Sequence, residues 1–176
     1  EIFTIDTGRL HEETYKVFDE TIKMYGNVIK VYYPNNIEVE ELLMKKGPYS
    51  FYNSVEDREE CCRIRKLNPL SVALSGKCCW VTGIRREHSQ FRSRKEIFEI
   101  DEKRGLIKCN PILDINIEDI IMYIKEKKVP YNSLYDKGYT SIGCEPCTRA
   151  VTDGEDIRAG RWWWELDYKK ECGLHK

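Results

Sequence analysis

The sequence contains no apolar run approaching the length of a membrane span, and its first residues, EIFTIDTG, lack the basic start and apolar stretch of a secretory leader. A cytoplasmic protein with no membrane partner is expected. Net charge is also missing: 29 Lys and Arg face 30 Asp and Glu, for a formal −1 at pH 7. That balance removes any global argument for a nucleic-acid partner, so an anion site has to be local. There is no internal repeat, no low-complexity linker, and no GxxxxGK[ST] motif or comparable Gly-Ser run to cradle a phosphate. An initiator methionine is absent too. IFTI looks like a strand from the middle of an α/β protein, and the chain is expected to be a fragment.

What is present describes a folded protein. Charged residues make up 34% of the sequence and apolar residues 41%, and 176 residues suffice for one domain with a hydrophobic core. IFTID (2–6) and VIKVYYP (28–34) are expected strands, separated by a helix whose apolar positions Leu10, Tyr15, Val17, Phe18, Ile22 and Tyr25 end near Gly26. Ile37, Val39, Leu42 and Leu43 mark a second helix that stops at Gly47-Pro48. A helical stretch around CCRIRKLNPLSVAL leads to the strand CCWVTG (78–83), GLIKCNP (105–111) forms another strand, and INIEDIIMYIKEKK (115–128) a helix with Asn116 as N-cap and Asp119 three residues on. Alternating strands and helices predict an α/β fold, a mostly parallel sheet flanked by helices. The composition shifts once, near Thr152, where DGEDIRAGR suggests an exposed loop. The expected organisation is therefore a core over 1–155, N-terminally incomplete, and a C-terminal arm over 156–176.

Eight cysteines stand at 61, 62, 78, 79, 109, 144, 147 and 172. A chain of this size without an export signal does not need disulfides, so tandem cysteines and a CxxC point to a metal or redox site. Cys61-Cys62 and Cys144-x-x-Cys147 together offer four thiolates, enough for a tetrahedral zinc or an iron-sulfur cluster. Neighbouring cysteines on a helix diverge by about 100°, which suits the separated irons of a cluster better than one small ion. The bland alternatives are packing for CC and a redox-active dithiol for CxxC; their co-occurrence beside basic residues favours the metal site. Pro146 stiffens the CxxC loop. Cys78, Cys79 and Cys109 lie on apolar strands and are expected to pack in the core.

Positive charge gathers in RIRK (63–66), RREHSQFRSR (85–94) and IRAGR (157–161). Singly, such arginines usually solvate a surface; together, these stretches are expected to line one anion pocket, since guanidinium groups bind sulfate or phosphate through paired hydrogen bonds. Gly83 and the arginines Arg85, Arg86 and Arg92 follow the strand CCWVTG, where α/β sheets usually bind ligands. Trp162 to Trp164 are expected to pack. Cys172 is the fifth residue from the end, and positive charge nearby would stabilise its thiolate.

ECCRIRKLNPL, TGIRREHS, KGYTSIGCEPCTRAV, GRWWWE and KECGLHK, in that order, closely resemble the assimilatory adenylyl-sulfate reductases, the iron-sulfur branch of the adenylyl/phosphoadenylyl sulfate reductase family. The resemblance runs from about residue 3 to the end. It implies an adenine nucleotide alpha-hydrolase-like fold and conversion of adenylyl sulfate to sulfite and AMP. Cys172 matches the nucleophile that forms an S-sulfocysteine intermediate, resolved by thioredoxin or a glutaredoxin-like dithiol. Cys61, Cys62, Cys144 and Cys147 match the ligands of a 4Fe-4S cluster, and Lys66 the lysine between cluster and substrate. Arg92, Arg158 and Arg161 match substrate-contacting arginines; Arg85, Arg86 and His175 complete the expected substrate-binding set. The family's SGGKDS-type loop would precede IFTI, which makes the chain the C-terminal part of a longer reductase. Phosphoadenylyl sulfate reduction, a nonenzymatic metal-binding module and a tRNA-thiolating enzyme are the rival classes, and a homo-oligomer is left open.

Overall fold

The computed structural model describes residues 1–89 and 92–165. Their contacts form two units, one built from Glu1–Ala73 and the described residues from Asn132 on, the other from Leu74–Tyr131. The arm expected from residue 156 has its described part in the first unit.

In the first unit, two runs rich in β-branched residues make β1 (Ile2–Ile5) and β2 (Ile29–Tyr32). They pair in parallel, from Ile2 opposite Ile29 to Ile5 opposite Tyr32. A parallel pair needs a long crossover, which α1 (Glu12–Tyr25) supplies. Glu12 and Glu13 in its first turn and Lys23 near its end match the helix dipole, and Gly26, at φ 81°, ends it. The Asn35 side chain caps α2 (Asn36–Lys46) by accepting from the Ile37 and Glu38 amides at 2.9 and 3.3 Å.

α3 (Val55–Cys62) then runs without a break through a π-helical turn, Arg63–Leu67, into α4 (Asn68–Leu74). The wide turn has a local cause. Pro69 has no N–H to give the Arg65 carbonyl four residues back, and its ring would press on that carbonyl. The helix yields by one residue, and the Asn68 amide reaches the Arg63 carbonyl. Ile64, Arg65 and Lys66 are buried as a result of this run's placement. The core of the unit is Leu42, Phe51, Cys61, Ile64, Cys144, Cys147 and Trp162, with Val39, Cys62 and Trp164 packed against it. Three of the four paired cysteines are thus core residues.

The second unit is a three-stranded sheet in the order β3-β5-β4, with β3 (Cys79–Val81) parallel to β5 (Leu106–Cys109) and β4 (Phe98–Asp101) antiparallel to it. β4 has no counterpart among the expected strands. Trp80, Leu106 and Lys108 are buried, whereas Val81, Phe98, Ile100 and Ile107 are exposed. This alternation corrects the expectation for Cys78 and Cys79: both thiols are exposed, because the buried position of β3 belongs to Trp80, and Cys109 is only partly covered. Of the three tryptophans Trp162 to Trp164, only Trp162 is fully buried, at 1% exposure. No helix among the described residues is long and apolar enough to cross a membrane.

α5 (Ile117–Lys127) begins as expected, with Asn116 Oδ1 accepting from the Asp119 amide at 2.8 Å and its Nδ2 donating to the Asp119 carboxylate at 2.8 Å. Replacing Asn116 with Ala should cost about 1 kcal/mol of local stability. Hydrogen exchange of the first-turn amides of α5 should accelerate by about fivefold, the equivalent of that energy, with the β3-β5 amides unchanged.

Candidate metal centre and its basic surround

Ser54 caps α3 by accepting from the Asp57 amide at 3.1 Å, and the helix delivers Cys61 and Cys62 as its last two residues. Cys144 and Cys147 bracket a single 3-10 turn, Glu145–Cys147, that has Pro146 in its first positions. That turn is held from three sides. Its Cys147 amide closes on the Cys144 carbonyl at 3.0 Å, the Glu145 amide donates to the Arg9 carbonyl at 2.8 Å, and the Trp162 amide donates to the Cys147 carbonyl at 3.1 Å. The two pairs, far apart in sequence, line one cavity. Phe51, Arg9, Arg58, Arg65 and Lys66 complete its wall.

Burial pushes the Cys61 thiol up, against the pull of Arg65 and Arg9. Cys147 is pushed to about 12 by burial and by the neighbouring Cys144. Burial raises Cys144 as well, but Lys66, a hydrogen bond with Thr7 and the charge of Arg161 outweigh it, and the net shift is downward. The Thr7 hydroxyl lies 3.2 Å from the Cys144 sulfur. Within one cavity, cationic neighbours thus hold Cys144 toward the thiolate while burial holds Cys61 and Cys147 toward the neutral thiol.

The basic residues expected to line an anion pocket are mostly buried: Lys66, Arg85, Arg92, Arg158 and Arg161 are each below 9% exposed. Lys66, Arg158 and Arg161 belong to the first unit, and Arg85, Arg86 and Arg92 to the second. Arg161 is pinned. Its Nη1 donates to the Ile142 carbonyl at 3.2 Å and its guanidinium lies 4.7 Å from the Trp162 ring centroid. A Cβ on Gly143 would meet the Arg161 Nη2 at 2.4 Å, so only glycine lets the guanidinium lie against that backbone. In the second unit, Arg85 pairs with Glu87 at 3.1 Å and also meets the His88 ring. Arg86 gives its Nε to Asp114 at 2.7 Å and its Nη1 to the Ser93 and Lys95 carbonyls at 2.7 and 2.8 Å, holding the segment that begins at Arg92. Cys172 and His175 lie outside the described residues.

Several residues of the site were not singled out by sequence: Thr7, Arg58 and Gly143, while Arg65 was read only as part of the basic stretch RIRK (63–66). For Thr7 a signal existed, since DTG follows β1 as TGIRR follows β3, the same end of a parallel strand. Arg65 donates from Nη1 to the Thr7 carbonyl at 2.7 Å, which joins the π turn to the end of β1.

The phosphoadenosine phosphosulfate reductase domain family matches residues 1–150. Adenosine 5'-phosphosulfate reductases of Neisseria meningitidis serogroup B and Sinorhizobium fredii are 51% and 49% identical to the chain over 99% of its length, which covers 72% and 70% of theirs. The enzyme of that name from Rhizobium tropici is 50% identical over 97% of this chain and 95% of its own. Among solved structures, the phosphate complex of phosphoadenylyl-sulfate reductase from Candida auris superposes with a TM-score of 0.70 at 29% identity, covering 85% of this chain and 70% of that one. An FMN adenylyltransferase from Candida glabrata, at 14% identity, a TM-score of 0.56 and coverage of 92% of this chain and 51% of its own, shares the fold alone. The α/β, adenine nucleotide alpha-hydrolase-like fold expected from sequence is the one these structures share. With about half its residues identical to theirs along nearly its whole length, the chain belongs to the phosphoadenosine phosphosulfate reductase domain family, among the adenosine 5'-phosphosulfate reductases.

Proposed function

We propose that this chain reduces adenylyl sulfate to sulfite and AMP in cytoplasmic sulfate assimilation, with Cys172, on the arm 156–176, as the nucleophile. The observation that carries the reading is the convergence of Cys61, Cys62, Cys144 and Cys147 on one cavity that also includes Lys66.

The donor set fits a 4Fe-4S cluster. Four sulfurs and no competing carboxylate or imidazole line the cavity. Among the described residues no group of three or more His, Cys, Asp or Glu is placed to hold a metal ion, so the cluster reading rests on the four cysteines that line the cavity. The buried Nε donors of Arg65 and Arg161 have no hydrogen-bond partner among the described residues, and such donors cost free energy until an acceptor meets them. When bound, a cluster supplies a fixed charge distribution in the cavity that Lys66 lines.

The chemistry that falls to the chain's own residues is charge management. A Cys172 thiolate attacking a sulfate monoanion brings negative charge against negative charge, and buried cations offset that repulsion at no cost in reorganisation. Lys66, Arg158 and Arg161 are assigned this role in the first unit. Arg85 and Arg92 are assigned anion binding in the second, where Arg86 acts by holding the backbone from Arg92 to Lys95. His175 is assigned to the substrate as well. The Cys172 sulfur bonds to the sulfate sulfur as the bond from that sulfur to the AMP oxygen breaks, and AMP leaves with the electron pair. A dithiol protein of the thioredoxin or glutaredoxin class then attacks the Cys172 sulfur, and sulfite departs. The second thiol of the donor frees Cys172 and leaves a donor disulfide, so two electrons reduce the sulfur.

Anaerobic mixing with labelled adenylyl sulfate, followed by intact-mass measurement without reductant, tests the reading. Wild type should gain one SO₃ group and Cys172→Ser none; equal retention by both would remove Cys172 as the nucleophile. Cys61→Ser and Cys144→Ser should lose iron and broad visible absorbance together, while Cys79→Ser keeps both. A colourless wild type carrying stoichiometric zinc would overturn the cluster. Gly143→Ala should displace the Arg161 guanidinium and weaken adenylyl sulfate binding by about tenfold or more, the worth of one charge-assisted hydrogen bond, as read by equilibrium binding of the labelled nucleotide.

A further inference from the structure

Arg58 and Glu165 are 107 positions apart and meet in a bidentate pair, Nε to Oε1 at 2.9 Å and Nη2 to Oε2 at 3.0 Å. Their side chains are 3% and 4% exposed. Burying two charges is costly, and an apolar pair of similar volume is often as stable. What two parallel hydrogen bonds add is direction, because a guanidinium fork admits one orientation of the carboxylate.

The location of this pair gives that direction a use. Arg58 lies on α3 one turn before Cys61 and lines the cysteine cavity. Its guanidinium is 4.7 Å from the Trp162 ring centroid, the same distance as that of Arg161. Glu165 closes the turn that starts at Trp162, its amide donating to the Trp162 carbonyl at 2.8 Å, while the Trp162 amide is bonded to Cys147. Trp164, between them, packs on Tyr52 with ring centroids 4.4 Å apart. The segment from Arg161 to Glu165 is therefore fastened to both cysteine-bearing elements. Glu165 is also the last described residue, seven positions before Cys172.

We propose that Arg58 and Glu165 are a positioning pair for the nucleophile. They fix the origin of the segment that carries Cys172 against the wall of the cysteine cavity, and so set how often its thiolate reaches the substrate sulfur in a reactive geometry. The proposal rests on Cys172 being the nucleophile. A pair that only stabilised the fold would change the amount of folded, cluster-loaded protein and leave the transfer rate of that protein untouched.

The test uses cluster-loaded protein, matched by iron content and visible absorbance, in wild type, Glu165→Gln, Arg58→Lys and the double variant Arg58→Met with Glu165→Met. The double variant leaves no buried charge unpaired, so it keeps the test open if a single variant fails to fold. Single-turnover formation of the Cys172 adduct at saturating adenylyl sulfate is measured beside equilibrium binding of the nucleotide. In Glu165→Gln and in the double variant the adduct rate should fall by about tenfold or more, as a small misplacement of a reacting group does, with nucleotide affinity unchanged within about twofold. Arg58→Lys, which keeps the charge and one hydrogen bond, should fall between these and wild type. Wild-type adduct rates in the loaded variants, or a fall matched by an equal loss of affinity, would overturn the proposal. If wild type forms no adduct, the nucleophile assignment fails instead. Hydrogen exchange of the amides from Trp162 to Glu165 separates the two failures: acceleration in Glu165→Gln shows that the anchor exists, and no acceleration refutes the anchor itself.

Discussion

Four thiols and four cationic side chains share the wall of one cavity in the first unit, and each set makes the other tolerable. Burial opposes both a thiolate and an unpaired cation, so the stable arrangement is one in which their charges face each other. Cys144 shows the balance most directly. It is buried yet shifted toward the thiolate, because Lys66, Thr7 and Arg161 together exceed the cost of desolvation. Cys147, with another thiol as a main neighbour, is pushed the other way. A ligand that brings positive charge to the thiols resolves that conflict.

The geometry behind this balance comes from a defect in a helix. Without Pro69 the run from Val55 to Leu74 could continue as a regular α-helix, in which residues three and four apart share a face. The π turn over Arg63–Leu67 inserts one residue into that spacing. Arg65 thereby reaches the Thr7 carbonyl at 2.7 Å while Lys66 lines the cysteine cavity. Wide turns of this kind recur at functional sites because they re-aim consecutive side chains without ending the helix.

The regular elements were legible because their signals are local. The spacing in INIEDIIMYIKEKK and the Asn116 cap require only neighbouring residues, and the helix appears where they place it. β4 was not legible, since FEID alternates apolar with acidic residues inside a charged stretch and is identified by its partner β5. The two cysteine pairs could be read from the CC and CxxC motifs, but not the cavity they share, whose closure depends on Trp162 and on the Arg9 carbonyl. Burial of the arginines was hidden by the near-neutral net charge. The acidic residues that balance the sum are spread over the chain, so the sum says nothing about where a cation is left facing a site. Arg58 and Glu165 carried no local sign of each other at all.

Hydrogen-bond partners sort the buried arginines in a way that composition cannot. A carboxylate partner cancels the charge of a guanidinium, whereas a carbonyl or hydroxyl oxygen fixes its position and leaves the charge in place. Arg58 is of the first kind, matched by Glu165. Arg65 and Arg161 are of the second kind: their hydrogen bonds go to the Thr7 carbonyl, and to the Ile142 carbonyl and Ser141 hydroxyl. Held by neutral oxygens, these two keep a field that acts on thiols and on any anion that approaches, while Arg58 spends its charge on holding the chain. Residues of one type, in one unit and at similar burial, thus divide into those that position and those that attract.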